Sequence, residues 1–190
     1  MAIANWKLTL EQFLDLPEAT PALEYDPPCD GHGATVRQKM SPTEGHSALQ
    51  VAFVTLLRPL RPRGLRVRTE LRVVRRSAKV PDVSVYRLEE LAPGGLLRGR
   101  YPTTPPQIAI EIRSPDDELD EQMDKCRFYV EEWGCPLALL ADPESAVPEI
   151  MVFRPHLPPA RFREDERIEP LFEIFDLELT PRTIWTEADL

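Results

Sequence analysis

Two acidic residues each interrupt an apolar run of the kind that forms β-strands. Asp82 lies in Val-Pro-Asp-Val-Ser-Val-Tyr, residues 80–86, and Glu111 lies in Ile-Ala-Ile-Glu-Ile-Arg, residues 108–113. A carboxylate within such a strand costs desolvation free energy unless a counter-charge pairs with it, and a divalent cation is an effective partner. The pattern predicts a metal site formed by Asp82 and Glu111. The alternative is that both acids face solvent on ordinary half-buried strands.

The alternation of side chains along these strands predicts which residues share a face. The isoleucines of residues 108–112 lie on one face, so Glu111 and Arg113 project together from the other. In residues 82–85 the two valines take the core face, and Asp82 takes the opposite face. The second strand therefore offers an acid and a cation side by side.

The bulk composition fits a single globular domain. A chain of 190 residues with 42% hydrophobic and 29% charged residues predicts one domain over residues 1–190, in which residues 1–40 pack on the core. Without an apolar signal segment or a membrane span, we expect a cytoplasmic protein with no membrane partner. The three cysteines, Cys29, Cys126 and Cys135, form no CxxC pair, so neither a disulfide framework nor a structural zinc site is indicated.

The charge of the chain is uneven. A formal net charge of −9 opposes the binding of a polyanion. Nevertheless, the basic segment, residues 58–79, carries nine arginines and lysines and one acid, Glu70. If residues 65–74 form one strand, Arg66, Arg68 and Arg72 share one face. This face is the predicted nucleic-acid surface, and the alternative is a solvated strand face.

The hydrophobic periodicity predicts an α+β or mixed α/β arrangement around one central sheet. Ser41 and Glu44 match the N-cap and the acid of a capping box. A long loop is expected at residues 87–106, with one helical turn at 88–91. We predict helices at residues 8–16, 41–57 and 118–133, and strands near Leu23 and Val36 and at residues 65–74, 80–86, 108–113, 137–141, 149–153 and 172–179.

The order of these residues is similar to that of a known family. Pro81-Asp82, then Glu111-Ile-Arg113, then a helix with Lys125 resembles the PD-(D/E)XK nuclease superfamily, and more narrowly the Uma-two-type restriction endonucleases. Further matching positions are residues 8–17, Leu23-Glu-Tyr with Gly31, His46, residues 81–85, residues 106–115, Tyr129, Gly134, Pro136 and Asp142-Pro143. The resemblance implies a restriction-endonuclease-like core, in which helices flank a central mixed β-sheet.

The same resemblance implies a metal-dependent endonuclease that hydrolyses phosphodiester bonds, with double-stranded DNA as the expected substrate. Asp82 and Glu111 would hold Mg²⁺ or Mn²⁺, since Mg²⁺ prefers oxygen ligands. The superfamily lysine lies two residues after the acid, where this chain has Arg113, a poor base. The family implies that Lys125 takes that role, and the choice between these two cations stays open. His46, Glu44 and Tyr129 are secondary site residues in this prediction.

Two other functions remain open from the sequence. One is a nuclease-fold protein that binds nucleic acid or a protein partner without cleaving, which the negative charge and the displaced lysine would permit. The other is a structural acidic domain whose arginines pair with its own acidic tail, residues 164–178. Under any of these functions, including the nuclease, the chain could form a homodimer.

Overall fold

The computed structural model describes residues 4–6, 8–28 and 33–190, so Cys29 and Gly31 lie outside the described residues. Five helices are described: α1 (Leu10–Leu14), α2 (Glu44–Leu56), α3 (Leu119–Glu131), α4 (Glu169–Phe175) and α5 (Pro181–Glu187). The strands are β1 (Ala4–Trp6), β2 (Leu23–Asp26), β3 (Ala34–Gln38), β4 (Leu65–Thr69), β5 (Val73–Val74), β6 (Ala78–Lys79), β7 (Val83–Arg87), β8 (Leu96–Leu97), β9 (Tyr101–Pro102), β10 (Ile108–Ile112), β11 (Leu137–Ala141), β12 (Glu149–Phe153) and β13 (Ala160–Arg163). Short 3₁₀ helices occupy Arg58–Arg63, Leu88–Leu91 and Pro93–Gly95.

A six-stranded mixed sheet forms the centre of the fold, in the order β13-β12-β11-β10-β7-β4. Strands β10 and β11 run parallel, joined by the crossover helix α3, and the other neighbours are antiparallel. Helices flank this sheet on both faces, which confirms the predicted class of a central mixed sheet flanked by helices.

The two faces of β10 carry different residues, as the alternation predicted. Ile108, Ile110 and Ile112 pack in the larger core cluster with residues from α2, α4 and α5. Ala109 packs in a second cluster with Tyr129 and other residues of α3. Glu111 shares the face of Ala109 because successive strand side chains alternate, so α3 covers the face from which Glu111 projects.

A second sheet covers one end of the central one, in the order β1-β3-β2-β6-β5, and β8 pairs with β9 separately. Strands β2 and β3 form an antiparallel hairpin, and they confirm the weak strands predicted near Leu23 and Val36. The second sheet has its own apolar cluster, which includes Phe13, Tyr25 and Val74. The prediction of one sheet was therefore incomplete.

The predicted single strand at residues 65–74 is wrong. Glu70 has a left-handed backbone with φ 49°, and an L-residue in that conformation breaks a strand. Strand β4 therefore belongs to the central sheet, whereas β5 belongs to the second sheet. The basic segment consequently does not present Arg66, Arg68 and Arg72 on one strand face.

The predicted strand at residues 172–179 is also wrong, because α4 occupies Glu169–Phe175. Ile168, Leu171 and Phe175 are all buried, and their spacing of three and four residues is helical. Strand β13 was not predicted. Within the described residues, no helix is both long and apolar enough to cross a membrane.

The cap of α2 differs from the prediction. Thr43 is the N-cap, and its hydroxyl accepts a hydrogen bond from the backbone N–H of His46 at 3.3 Å. Ser41 is not the cap, so Glu44 is the first helical residue and not the third. This register places His46 in the first turn of α2.

The central sheet makes one prediction about stability. Ile110→Ala should lower the free energy of unfolding by about 2–5 kcal/mol, because it leaves a cavity in a close-packed core. Ile174 on α4, which is 45% exposed, provides the control. Ile174→Ala should change the free energy of unfolding by less than about 0.5 kcal/mol. Urea unfolding followed by circular dichroism measures both. Equal effects would contradict the assignment of Ile110 to the core.

Candidate active site

A polar cleft of about 470 Å³ lies beside the hairpin of β2 and β3, and both predicted acids line it. Asp82 is 1% exposed and Glu111 is 2% exposed. Asp82 lies just before β7 and Glu111 lies within β10, and these two strands are neighbours in the central sheet. The structure therefore brings the two acids to the same buried site.

Asp82 is held by main-chain and side-chain donors. The backbone N–H of Ile112 donates to its Oδ2 at 2.6 Å, and the ammonium of Lys39 donates to its Oδ1. The Nε2 of His46 lies 3.5 Å from the same Oδ1, and Gln50 donates to the Asp82 carbonyl at 2.9 Å. His46 and Gln50 are four residues apart on α2, a spacing that puts both on one helix face.

Glu111 receives its partners from the other helix. The Tyr129 hydroxyl donates to its Oε1 at 2.6 Å, and the Lys125 ammonium donates to its Oε2 at 3.1 Å. Lys125 and Tyr129 are again four residues apart, on the face of α3 that covers β10. The predicted approach of Lys125 to the acids is thus present as a direct contact.

The hairpin of β2 and β3 extends this charge network. The ammonium of Lys125 also lies 2.9 Å from Oε1 of Glu24, an acid that is 6% exposed. Lys79 lies 2.7 Å from Asp26 and 3.8 Å from Glu24. Charges of opposite sign therefore alternate from the rim of the cleft to Glu111.

A second series of contacts surrounds Asp82. The Lys39 ammonium donates to Oε2 of Glu70 at 3.1 Å and to the carbonyl of Val80 at 3.0 Å. Donor atoms of His46, Glu70 and Asp82 lie within 4.8 Å of one another. Glu70 thus joins a group with the composition of a metal site, in addition to the predicted pair.

Burial and neighbouring charges shift the acids in opposite directions. Burial raises the pKa of Glu111 to about 7, and Asp82 reinforces this rise against the ammonium of Lys125. Burial also acts to raise the pKa of Glu24, but the ammonium groups of Lys125, Lys79 and Lys39 lower it more strongly, and the pKa falls to about 2. At Asp82 burial is likewise outweighed by Lys39 and His46, which hold its pKa below the usual range. Buried carboxyls with such different pKa values are characteristic of acid–base sites.

Arg113 makes its contacts outside the charge network of Asp82 and Glu111. It follows the last residue of β10, its Nη1 donates to Asp142 at 2.7 Å, and its Nε donates to the Asp117 carbonyl at 3.0 Å. Its backbone N–H continues the pairing with β11 by donating to the Ala141 carbonyl at 2.9 Å. Arg113 therefore anchors the loops beside the cleft.

The remaining predicted residues lie away from the cleft. Glu44 is exposed in the first turn of α2. Arg66 and Arg68 lie on the edge strand β4, where each donates to a backbone carbonyl of its own segment. The Arg72 guanidinium lies 5.4 Å from the Phe13 ring centroid and donates to the Leu23 carbonyl at 3.3 Å. Its side chain is 11% exposed and also lies 3.6 Å from Glu18, so Arg72 packs at the second sheet.

The sequence reasoning missed several charged residues of the site, among them Glu24, Glu70 and Lys39. Glu24 could have been noticed in the sequence, because it is an acid between Leu23 and Tyr25 in a predicted strand. Glu70 was the one acid in the basic segment, and that isolation was also a signal. Lys39 could not have been found from local sequence, because its contacts are with Glu70, Val80 and Asp82, which are distant along the chain.

Comparison with known proteins agrees with this geometry. Residues 10–182 match the model of the Uma2 family, described as "Putative restriction endonuclease". The fold resembles the crystal structure of a putative nuclease belonging to DUF820 from Anabaena variabilis, with a TM-score of 0.77 and 26% sequence identity over 95% of this chain and 99% of that one. No curated protein matches the chain.

The raised pKa of Glu111 makes stability depend on pH in the metal-free protein. Between pH 4.5, the ordinary pKa of a glutamate, and about 7, the folded state holds a proton that the unfolded state has lost. The free energy of unfolding should therefore fall as pH rises through this window. Glu111→Gln should reduce that slope, measured by urea unfolding in EDTA.

Glu24→Gln provides the control with the opposite sign. Because the pKa of Glu24 is lowered to about 2, its contribution is present above pH 4.5 and is lost as pH falls toward 2. This variant should alter the dependence of stability on pH below 4.5. Because the charge of Glu24 contributes to the raised pKa of Glu111, it should narrow the window between pH 4.5 and 7 without removing the slope there. An unaltered slope in Glu111→Gln would contradict the pKa assignment.

Proposed function

Because the chain belongs to the Uma2 family, described as "Putative restriction endonuclease", we propose that it hydrolyses phosphodiester bonds of nucleic acid in the cleft around Asp82 and Glu111. Double-stranded DNA is the proposed substrate. The observation that carries the proposal is the pair of buried carboxylates on neighbouring strands, each in contact with a lysine ammonium. Such a concentration of buried charge has a high desolvation cost, and it is therefore characteristic of functional sites.

The donor set suits a hard divalent cation. Asp82 and Glu111 offer carboxylate oxygens in one cleft, and Glu70 and His46 supply further donors beside Asp82. We propose that Asp82 and Glu111 hold Mg²⁺ or Mn²⁺. When bound, such an ion neutralises charge on a phosphate oxygen and lowers the pKa of a water molecule.

Lys125 is the proposed catalytic cation. Its ammonium lies at Glu111, so it can donate to the attacked phosphate from the same side as the carboxylate. Arg113 is occupied with Asp142 and Asp117, and its proposed role is to hold the loops that border the cleft. Tyr129 orients Glu111 through its hydroxyl.

A surface for the substrate is proposed at β4, where Arg66 and Arg68 lie. The pairing of Thr69 with Val83 puts the end of β4 beside the residue that follows Asp82. A nucleic-acid backbone bound along this edge strand could therefore reach the cleft. Contacts of this kind to phosphates weaken as salt increases.

A binding protein without nuclease activity is the second candidate function. Each of the four carboxylate oxygens of Asp82 and Glu111 already has a partner within the chain. A site with all its charges compensated in this way is stable without a metal ion, as a catalytically degenerate protein requires.

The metal site can be tested by calorimetry with Mn²⁺. Asp82→Asn and Glu111→Gln should each weaken binding by at least about tenfold, because each removes a charged ligand at nearly constant volume. Glu121 lines the same cleft but is exposed and faces Arg37, so Glu121→Gln is the matched control and should bind normally. Binding that is equal in all four proteins would refute the proposed ligands.

The catalytic cation can be tested by cleavage of plasmid DNA with Mg²⁺. Lys125→Met should abolish cleavage, whereas Arg113→Met should retain part of it. Arg127, which is exposed on the same helix beside Asp124, is the control, and Arg127→Met should cleave normally. Because loss of Lys125 leaves two buried acids uncompensated and costs about 3–5 kcal/mol, rates are compared at a temperature where circular dichroism shows every variant folded.

The order of the defects decides the assignment. If Arg113→Met cleaves more slowly than Lys125→Met, then Arg113, which stands where the superfamily has its lysine, is the catalytic cation, and Lys125 is not. If the unmodified protein binds nucleic acid but cleaves neither DNA nor RNA with Mg²⁺ or Mn²⁺, the binding function replaces the nuclease.

A further inference from the structure

Lys39 has surroundings unlike those of an ordinary surface lysine. Its side chain is only 13% exposed, and its ammonium contacts oxygens of three residues: Asp82, Glu70 at 3.1 and 3.3 Å, and the carbonyl of Val80 at 3.0 Å. Carboxylate and carbonyl oxygens are also the donors that a hard metal cation prefers. The ammonium is thus bound as such an ion would be.

The ammonium of Lys39 and a divalent ion would compete at Oδ1 of Asp82. Two cations at one carboxylate oxygen repel each other strongly at the short separation that this geometry imposes. The other oxygen of Asp82 accepts the backbone N–H of Ile112, a donor that the β-sheet fixes. A metal ion that binds Asp82 through Oδ1 is therefore opposed by Lys39, whose long side chain is the movable partner.

The charges around Lys39 favour such an exchange. Asp82 and Glu70 together carry two negative charges when ionised, and Lys39 supplies one positive charge. A divalent ion at Asp82 would offset more of this negative charge than the single charge of Lys39 does, and the released ammonium would remain in the cleft that Lys39 itself lines. A free ammonium at that place is suited to a phosphate group of the substrate.

We propose that Lys39 is a tethered cation that competes with the divalent ion for Asp82, and that metal binding releases its ammonium into the cleft. Lys39 is in this sense a positioning residue, because it holds Asp82 in place until the metal binds. The inference rests on the proposed metal site, and it concerns the part that this chain's own lysine plays there.

Lys79 offers a matched control. It lines the same cleft, its side chain is 10% exposed, and its acidic partners in the described part of the chain are Asp26 and Glu24. Lys79→Met and Lys39→Met each remove one positive charge from the cleft at nearly constant volume. The general loss of positive charge affects the metal affinity of both variants. A difference in metal affinity between the two variants therefore measures direct competition at Asp82.

The first experiment is titration with Mn²⁺, followed by calorimetry and by the electron paramagnetic resonance of the free ion. Lys39→Met should bind Mn²⁺ at least about tenfold more tightly than the unmodified protein, because the competing charge is gone. Lys79→Met should tighten binding by less than about threefold, since its charge lies farther from Asp82. Equal changes, or weaker binding in Lys39→Met, would overturn the proposal.

The second experiment uses the unmodified protein, so its result does not depend on whether a variant folds. In protein labelled with ¹⁵N and ¹³C on lysine, the ammonium signals of Lys39 and Lys79 are followed during titration with Mg²⁺. The Lys39 signal should shift and lose protection from exchange as the metal saturates, while the Lys79 signal stays nearly constant. A Lys39 signal that is unchanged at saturation would refute the displacement.

The two hypotheses fail in different ways. If the unmodified protein binds Mn²⁺ through Asp82 but Lys39→Met binds no more tightly, the competition is refuted and the proposed metal site stands. If neither protein binds Mn²⁺, the metal site of the proposed function is refuted, and the competition with it.

Discussion

The free-energy cost of burying Asp82 and Glu111 determines how the rest of the site is built. Both carboxylates are almost fully buried, and a buried charge without a partner costs several kcal/mol. Two helices meet this requirement in the same way: α2 presents His46 and Gln50 to Asp82, and α3 presents Lys125 and Tyr129 to Glu111, each pair at a spacing of four residues. The sheet brings the acids together, and the helices on its two faces supply the partners.

The hairpin of β2 and β3 completes the compensation, which explains why a second sheet is attached at this edge. It provides Glu24 for the ammonium of Lys125, and Lys39, which follows β3, for the carboxylate of Asp82. Without the hairpin, one lysine would lose an acid and one acid would lose a lysine. The stability of the site therefore depends on the packing of the N-terminal part of the chain, and not only on the central sheet.

The parts of the site that depend on local sequence could be predicted, and those that depend on distant packing could not. The alternation in residues 108–112 placed Glu111 on the face opposite the isoleucines, whereas the role of Lys125 came from the family resemblance. The contacts of Arg113 with Asp142 and Asp117 could not be read from a strand pattern, because they depend on the loops after β10 and β11. The break at Glu70 separates Arg72 from Arg66 and Arg68, and it depends on a single left-handed residue. Lys39 could not be found, since its partners are more than thirty residues away in sequence.

The balance of charge in the cleft has a consequence for how a nucleic acid would approach it. Seven acids line the cleft against four lysines and arginines, so without a metal ion the cleft is formally negative and repels a polyanion. A divalent cation on Asp82 and Glu111 would reduce this repulsion at the place where a phosphate must enter. In the proposed nuclease, binding of metal and of substrate are therefore coupled, and by thermodynamic reciprocity each must increase the affinity for the other. In the proposed nuclease, a chain with a net charge of −9 should then bind a polyanion at this site more tightly when the metal is present.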